Sequence, residues 1–331
     1  MANQYRVKIE KIVPQTKNSS AYLLVPLNKD DGFFDYNVGQ FYMLQAEIDR
    51  ENKEGKNVRE TDKRAYSIVS HPLSNDYIEL LVQKDFLKAN WEKKSIEERR
   101  SLKPPFAEYF MEQYKEGDEC LLIGPNGRFL KHTLDNNEEC MAYWYAGSGI
   151  PSGLSLCEYV LAKGLKKKIL LFGSNKRLED IVYHDRILKD INSSEGLLQF
   201  ICTLTGESVD IPTSQLGKII YRKGRFFSNN ENSLQKYIGS DWSRYYHAIC
   251  GSSSFINGTT RSRKDNRIIK GICKNDSCKK EFASVHDKSG NLIGTCDNCG
   301  GEIEIFKGIK DRLVEIGVEE KVIETDQFYL H

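Results

Sequence analysis

Near residue 140 the hydrophobic rhythm of this chain switches, and the switch leaves few architectures open. On the N-terminal side lie short β-rich runs, YRVKIEKIV, AYLLVPL, GQFYMLQAEI, RAYSIVS and YIELLVQK, separated by Gly, Asn, Asp and Pro signals. Runs of this length closed by turn residues read as hairpin-connected strands and predict an antiparallel barrel. From Met141 buried strands alternate with amphipathic helices: MAYWYAG, PSGLSLCEYVLAKG, KKILLFGS, LEDIVYHDRILKDI, LLQFICTLT and, later, YYHAICG. That alternation predicts a parallel sheet with helices on both faces. The expectation is a two-domain β plus α/β protein, with an antiparallel β-barrel over 1–135 and a parallel-sheet nucleotide-binding domain over 138–331. A chain of 331 residues is long enough for both, because single hydrophobic cores usually stop growing before that length. Two charged excursions interrupt the barrel, residues 49–63 and 85–103, and both read as insertions at loop tips.

Charge and composition exclude several classes of function. Hydrophobic residues make up 39% and charged ones 29%, with a net charge of +1, so the chain shows neither the bias of disorder nor the footprint of a nucleic-acid partner. The start MANQYRVKIEKIV alternates like a strand and lacks the apolar core of a signal peptide, and no later run approaches a membrane span. A cytoplasmic protein with no membrane partner is expected. Nine cysteines, four of them grouped near the C-terminus, fit a reducing compartment and one metal site better than a disulfide framework.

The grouped four are Cys273, Cys278, Cys296 and Cys299, spaced Cys-x4-Cys and Cys-x2-Cys-Gly-Gly around a Ser-Gly-Asn turn at Ser289 to Asn291. Two such knuckles on a β-hairpin give a closed tetrahedral set of thiolates, and closed four-cysteine sites are usually structural zinc. A rubredoxin-like iron uses the same ligands and stays open as the rival, whereas the plant-type iron-sulfur spacing is not present. The pattern predicts a zinc-ribbon-like insert over 266–305 within the second domain, with His286 a surface residue of the hairpin.

Three further motifs carry chemistry. In RAYSIVS, alternation along a strand puts Arg64 and Tyr66 on one face, while Ser67 turns to the other or is delivered by a local twist. An arginine and a tyrosine side by side suit a ligand with a phosphate and a flat ring, although the same residues also describe an ordinary strand with a surface arginine. AGSGIPSG, from Ala146 to Gly153, lies between a strand and a helix, where glycines let a backbone approach a diphosphate and a helix N-terminus favours negative charge. A plain strand-to-helix turn reads the same way. AICGSSSF ends a strand on Cys250 and Gly251, and a small buried cysteine is the alternative there.

With these motifs in this order, the chain resembles the ferredoxin-NADP reductases, FAD-containing reductases whose barrel carries an Arg-x-Tyr-Ser motif. The resemblance implies that Arg64 contacts the FAD diphosphate, that Tyr66 stacks on the isoalloxazine and that Ser67 hydrogen-bonds near flavin N5. LLVQK, with Val82 and Lys84, would run its backbone along the flavin. PPFAEYF would supply the Phe106 and Ala107 amides to the diphosphate. Here the chain departs from the family's Gly-x-x-Ser or Gly-x-x-Thr, since a proline of the Pro104-Pro105 pair replaces the glycine and Ala107 the hydroxyl residue. Gly147, Ser148, Gly149, Ile150 and Pro151 would form the nicotinamide-dinucleotide loop. Ser174, Lys176 and Arg177, with Arg222, Lys223 and Arg225, would meet the 2'-phosphate of NADP, while Gly206 stands where an arginine often does and keeps NAD open. Cys250 and Gly251 would shape the hydride-transfer site, and Phe328 or Tyr329 would cover the flavin.

The implied activity is an FAD-dependent transfer of hydride from NAD(P)H to flavin and of single electrons onward to ferredoxin or flavodoxin, or the reverse. An acidic carrier of that kind would dock on the basic residues of 84–103, which reads otherwise as a solvated helical face. Two alternatives stand beside it: an NAD(P)H-dependent reductase of free flavin or another small acceptor, and a non-catalytic adaptor that uses the ribbon to bind protein or nucleic acid.

Overall fold

The computed structural model describes residues 3–28, 34–74, 76–84, 91–100, 104–131, 134, 140–206, 218–226, 245–261, 267–269, 271–273, 275, 277–278, 280–282, 294–305 and 307–327. Six strands form the first sheet: β1 (Gln4–Thr16), β2 (Ser19–Pro26), β3 (Phe41–Glu51), β4 (Asn57–Ser67), β5 (Ile78–Gln83) and β6 (Glu119–Asn126). They pair antiparallel in the order β4-β3-β6-β1-β2-β5, as the sequence pattern predicts. The sheet curls until its two edges meet, where Ile68 faces Leu80 in an isolated bridge and the Val69 amide donates to Glu79 O over 2.9 Å.

Both charged excursions differ from the loop-tip expectation. Residues 49–63 belong to one long hairpin, since β3 and β4 stay in register from Phe41↔Ser67 to Glu51↔Asn57. The far end of that hairpin projects past the barrel and needs cover, which the described part of 85–103 supplies with a short helix, α1 (Ile96–Arg100). Trp91 is buried and its Nε1 donates to Glu51 O over 2.9 Å. Arg99 is buried too, 2.6 Å from Glu51 Oε1 and 3.0 Å from Trp91 O through Nε. It is therefore a strut, not part of a basic docking face. Next comes α2 (Ala107–Gln113), whose Phe110 enters the barrel end and stacks on the buried Phe106 at 5.5 Å and 15°.

The second sheet contains β7 (Cys140–Ala146), β8 (Lys168–Asn175), β9 (Leu198–Leu204), β10 (Ile219–Lys223), β11 (Tyr245–Gly251) and the C-terminal strand Ile323–Gln327. Every pairing is parallel, in the order β10-β9-β8-β7-β11 and then the C-terminal strand. Side-chain alternation divides the core in two. Met141, Tyr143 and Tyr145 pack with α3 (Pro151–Ala162), α4 (His184–Ser193) and the barrel residues Ala21, Val69 and Leu81. Ala142 and Trp144 point the other way, toward α5 (Ser253–Asn257) and α6 (Ile309–Glu315). Helices thus cover both faces, and α3 is the layer between the sheet and the barrel. The helix expected from Leu178 starts only at His184, because Leu178–Asp180 forms a 3-10 turn and Tyr183 takes a left-handed φ of 58°. The edge strand β10 was not anticipated.

The insert follows α5. β12 (Thr259–Arg261) pairs antiparallel with β13 (Arg267–Ile269), and β14 (Gly271–Cys273), β15 (Glu281–Phe282) and β16 (Ile303–Ile305) form a sheet in the order β15-β14-β16. Three strands, not a hairpin, carry the cysteine knuckles. At the insert's root Gly308 lies so close to α5 that a Cβ there would fall 2.1 Å from Ile256 O. The C-terminal strand, β17, ends the described chain, so Phe328 and Tyr329 lie outside the described residues, as do His286 and Ser289 to Asn291. Among the described residues no helix is long and apolar enough to cross a membrane.

Candidate functional site

On β4 the pleat sends Glu60, Asp62, Arg64 and Tyr66 to one face and the more exposed alternates to the other. These side chains form a charged ladder with Arg50 of β3. The buried Arg50 lies 2.7 Å from Glu60 Oε1 and 2.8 Å from Asp62 Oδ2, and its Nη1 donates to Pro105 O over 2.7 Å. Arg64 Nη1 donates to Asp62 Oδ1 (2.6 Å) and to Lys63 O (2.9 Å), while Nη2 donates to Pro104 O (2.5 Å). The guanidinium of Arg64 also sits 5.5 Å from the centre of the Phe106 ring, and Tyr66 lies 6.5 Å from the same ring. Burial works to raise the Asp62 carboxyl, but Arg64 and Arg50 overcome it and hold it below its ordinary value. Sequence reasoning found Arg64, Tyr66 and Phe106 and missed Arg50, Glu60 and Asp62.

The other barrel candidates surround this cluster less directly. Ser67 closes β4 opposite Phe41. Val82 is fully buried in the barrel core, so only its backbone could meet a ligand. Lys84 follows β5, and its amide donates to Asn18 O over 2.8 Å. Ala107 is buried at the start of α2, with Phe106 at its N-cap.

In the second sheet β7 has β8 on one side and β11 on the other, so the strand order reverses there and opens a crevice at the carboxyl ends of β7 and β11. Gly147–Gly149 make a 3-10 turn at this point, and α3 begins at Pro151 immediately after Ile150. Gly149 is packed so tightly that a Cβ would lie 2.6 Å from Cys250 O, and Tyr143 Oη donates to Gly149 O over 2.8 Å. The loop is thereby pressed against the Cys250–Gly251 end of β11. Cys250 is buried, with Sγ 3.9 Å from Asp326 Oδ2 on the neighbouring β17. Burial, then the Asp326 carboxylate, push the Cys250 thiol well up, so it stays protonated at neutral pH. Burial raises Asp326 as well. Tyr143 and Asp326 were missed, and the signal for Asp326 was the parallel pairing Cys250↔Asp326, which only the fold reveals.

Ser174 lies near the end of β8, with Lys176 and Arg177 exposed just beyond it. Arg177 is paired with Glu179 at 3.2 Å, and the Gly206 amide donates to Lys176 O over 2.7 Å. Arg222 lies on β10, with Lys223 ending it and Arg225 two residues on, all beside the end of β9. The structure places Arg222 and Lys223 on the edge strand β10, Ser174, Lys176 and Arg177 at the end of the interior strand β8, and the glycine turn beside β7 in the middle of the sheet.

Besides the apolar packing of Ala21, Val69 and Leu81, polar contacts among the described residues also join the halves. Ser155 Oγ of α3 donates to Ser70 O over 2.9 Å, three residues beyond Ser67. Arg186 of α4 reaches the buried Glu79 of β5 at 2.7 Å and also holds Glu158 of α3 through Nη2 at 2.7 Å.

In the insert the thiols of Cys278, Cys296 and Cys299 lie within 4.8 Å of one another. The Gly300 amide donates to Cys296 O (2.8 Å) and the Cys296 amide to Gly301 O (2.7 Å), which bends the second knuckle tightly. Cys278 is drawn down to about 6 by hydrogen bonds to its sulfur, first from the Asn298 side chain and then from the Lys280 amide. The Cys273 side chain lies outside the described residues, but its backbone on β14 is paired with Ile303. Soft thiolates converging in this way suit zinc or iron.

No protein-family model and no curated protein matches this sequence. Among solved structures, the chain is similar to the flavohem-like FAD/NAD-binding domain of nitric oxide dioxygenase from Vibrio cholerae, with 13% identity, a TM-score of 0.61 and 98% of each chain covered. It is also similar to the cytochrome b5 reductase domain of nitrate reductase from Ulva prolifera, at 16% identity and a TM-score of 0.57, covering 76% of this chain and 88% of that one. A third is a ferredoxin NADP+ reductase from Neisseria gonorrhoeae with bound FAD and NADP, at 18% identity and a TM-score of 0.53, covering 76% and 87%.

Proposed function

Because the chain has the two-domain fold of ferredoxin reductase-like proteins, we propose that it is an FAD-dependent NAD(P)H oxidoreductase. The observation that carries this reading is the Arg64–Tyr66–Phe106 cluster on the barrel, tied through Ser70 and Ser155 to the helix that starts at the glycine turn. Bound FAD would supply a flavin able to accept hydride from the nicotinamide and to pass electrons onward. The chain's own residues would bind and orient. Arg64 would hold the diphosphate and Tyr66 the flavin ring, with Ser67, the Val82 and Lys84 backbone, Phe106 and Ala107 around them. Gly147 to Pro151 would take the dinucleotide, and Ser174, Lys176, Arg177 and Arg225 the adenosine end. Cys250, a neutral thiol, would be a wall of the hydride-transfer site, not a nucleophile.

In this reading the barrel ends near 135 and the nucleotide domain begins near 138. Zinc on Cys273, Cys278, Cys296 and Cys299 would fold the insert, supported by the convergence of three of the four thiols. The acceptor would be ferredoxin or flavodoxin. Since Arg99 is buried and Lys94 is 3.8 Å from Glu98, docking would depend on the remaining cations of the 84–103 region.

Purified protein should show flavin absorption that NADPH or NADH bleaches. Arg64→Ala and Tyr66→Ala should each lower flavin occupancy, the first by losing a charge-assisted contact of about 1.5–3 kcal/mol. Full occupancy in both variants, or a protein that takes up no flavin on reconstitution, would overturn the reading.

A further inference from the structure

We propose that Asp62 is a positioning residue that sets how tightly the flavin diphosphate is held, orienting Arg64 while cancelling much of its charge, so that the flavin exchanges with solution. This rests on the flavoprotein reading above.

Arg64 has five N–H donors, and three are engaged within the chain: two on Nη1, to Asp62 Oδ1 and Lys63 O, and one on Nη2, to Pro104 O. Among the described residues the Nε donor and the second Nη2 donor are left for a ligand, enough for a side-on contact to phosphate. The orientation of that fork depends on Asp62, which takes the Lys63 amide at 2.7 Å on the same oxygen that accepts from Arg64.

The charge tally is the second half of the argument. Arg50 and Arg64 share Glu60 and Asp62, so two guanidiniums face two carboxylates and the ladder is neutral before any ligand arrives. An incoming diphosphate meets a cation that already has its counter-ion, with the Asp62 carboxylate directly behind it.

The adjoining chain adds little compensation. Pro104 and Pro105 have no amide hydrogen to offer, and their carbonyls are turned to Arg64 and Arg50 at 2.5 and 2.7 Å. A flavin diphosphate here is thus held by an arginine of reduced effective charge beside two prolines without amide donors, with the Phe106 and Ala107 amides as the donors that follow.

FAD should be titrated onto wild type, Asp62→Asn and Asp62→Ala by quenching of flavin fluorescence, with riboflavin and inorganic pyrophosphate as further probes. Asp62→Asn keeps an acceptor for Arg64 and removes the charge, so FAD should bind about tenfold tighter. Riboflavin, which has no phosphate, should be unchanged, and pyrophosphate should compete better. Asp62→Ala loses the acceptor too and should show less gain than Asp62→Asn. Should Asp62→Asn fail to fold, Glu60→Gln removes one charge from the same ladder and should tighten FAD by about two- to threefold.

A folded Asp62→Asn with FAD affinity equal to or weaker than wild type would overturn the proposal. If neither protein binds FAD or riboflavin, the flavoprotein reading falls. Asp62 is then judged by calorimetry with pyrophosphate alone, where tighter binding to Asp62→Asn supports its role and equal binding refutes it.

Discussion

Asp190 on α4 carries a carboxyl that burial pushes up to about 6, with Glu158 adding repulsion and Arg186 and Lys189 pulling the other way. Between about 4 and 6 the folded chain therefore binds a proton that the unfolded chain has lost. Stability contributed by this group is present at low pH, falls as pH rises through that window and stays lower above it. Asp190→Asn should accordingly stabilise the protein at pH 7.5 by about 1 kcal/mol, a figure reduced because the carboxyl is partly solvated, and the gain should vanish below about pH 4. Thermal melts of both proteins across pH 3.5–8 check the sign. At this scale the sequence was legible where chemistry is local. Arg64 and Tyr66 share a face because strands have a period of two. Asp326 and Arg50 were not legible, since each matters through a partner that register or packing brings in from another segment; Asp62 shares the face of Arg64 by the same period of two, and only its link to Arg50 needed the pairing of β3 with β4.

Strands with clear alternation were readable as elements, but ends and covers were not. Residues 49–63 look like a loop because they are charged, yet β3 and β4 remain paired through them and the charges alternate across the two faces. Trp91 was the available clue that the segment after β5 has something to cover. α4 was placed six residues early because the amphipathic pattern runs unbroken through Tyr183, whose left-handed backbone breaks the helix. On the proposed metal reading, metal should supply folding energy to the insert, whose described strands β14, β15 and β16 are only two or three residues long. Cysteine-pair variants should lose about one zinc per chain by elemental analysis. Faster amide exchange should be confined to the insert, and the flavin spectrum should be retained. Iron with visible bands that NADPH bleaches would instead make the ribbon a redox centre.

For the whole molecule, the two-domain architecture was readable from the switch of period, but the join between the halves was not. Glu79 comes from a strand, Glu158 and Arg186 from two helices, and no spacing in the chain connects them. Removing the cation would leave the buried Glu79 uncompensated at the interface, a change that typically costs about 3–5 kcal/mol. Arg186→Ala should therefore slow flavin reduction by NAD(P)H tenfold or more in stopped-flow measurements while leaving FAD occupancy on the barrel unchanged. Equal reduction rates would show that the clamp does not hold the halves in their reactive arrangement.

The contact between Gly308 and Ile256 gives the insert a modular character. A Cβ on Gly308 would lie 2.3 Å from Asn257 N, so the chain leaves the second domain and returns to it at almost the same point. The segment between Gly258, which caps α5, and Gly308 is a cassette with a closed doorway: it can be lengthened, shortened or excised with a short splice without asking α5 or α6 to move, because the gap to be bridged is already closed.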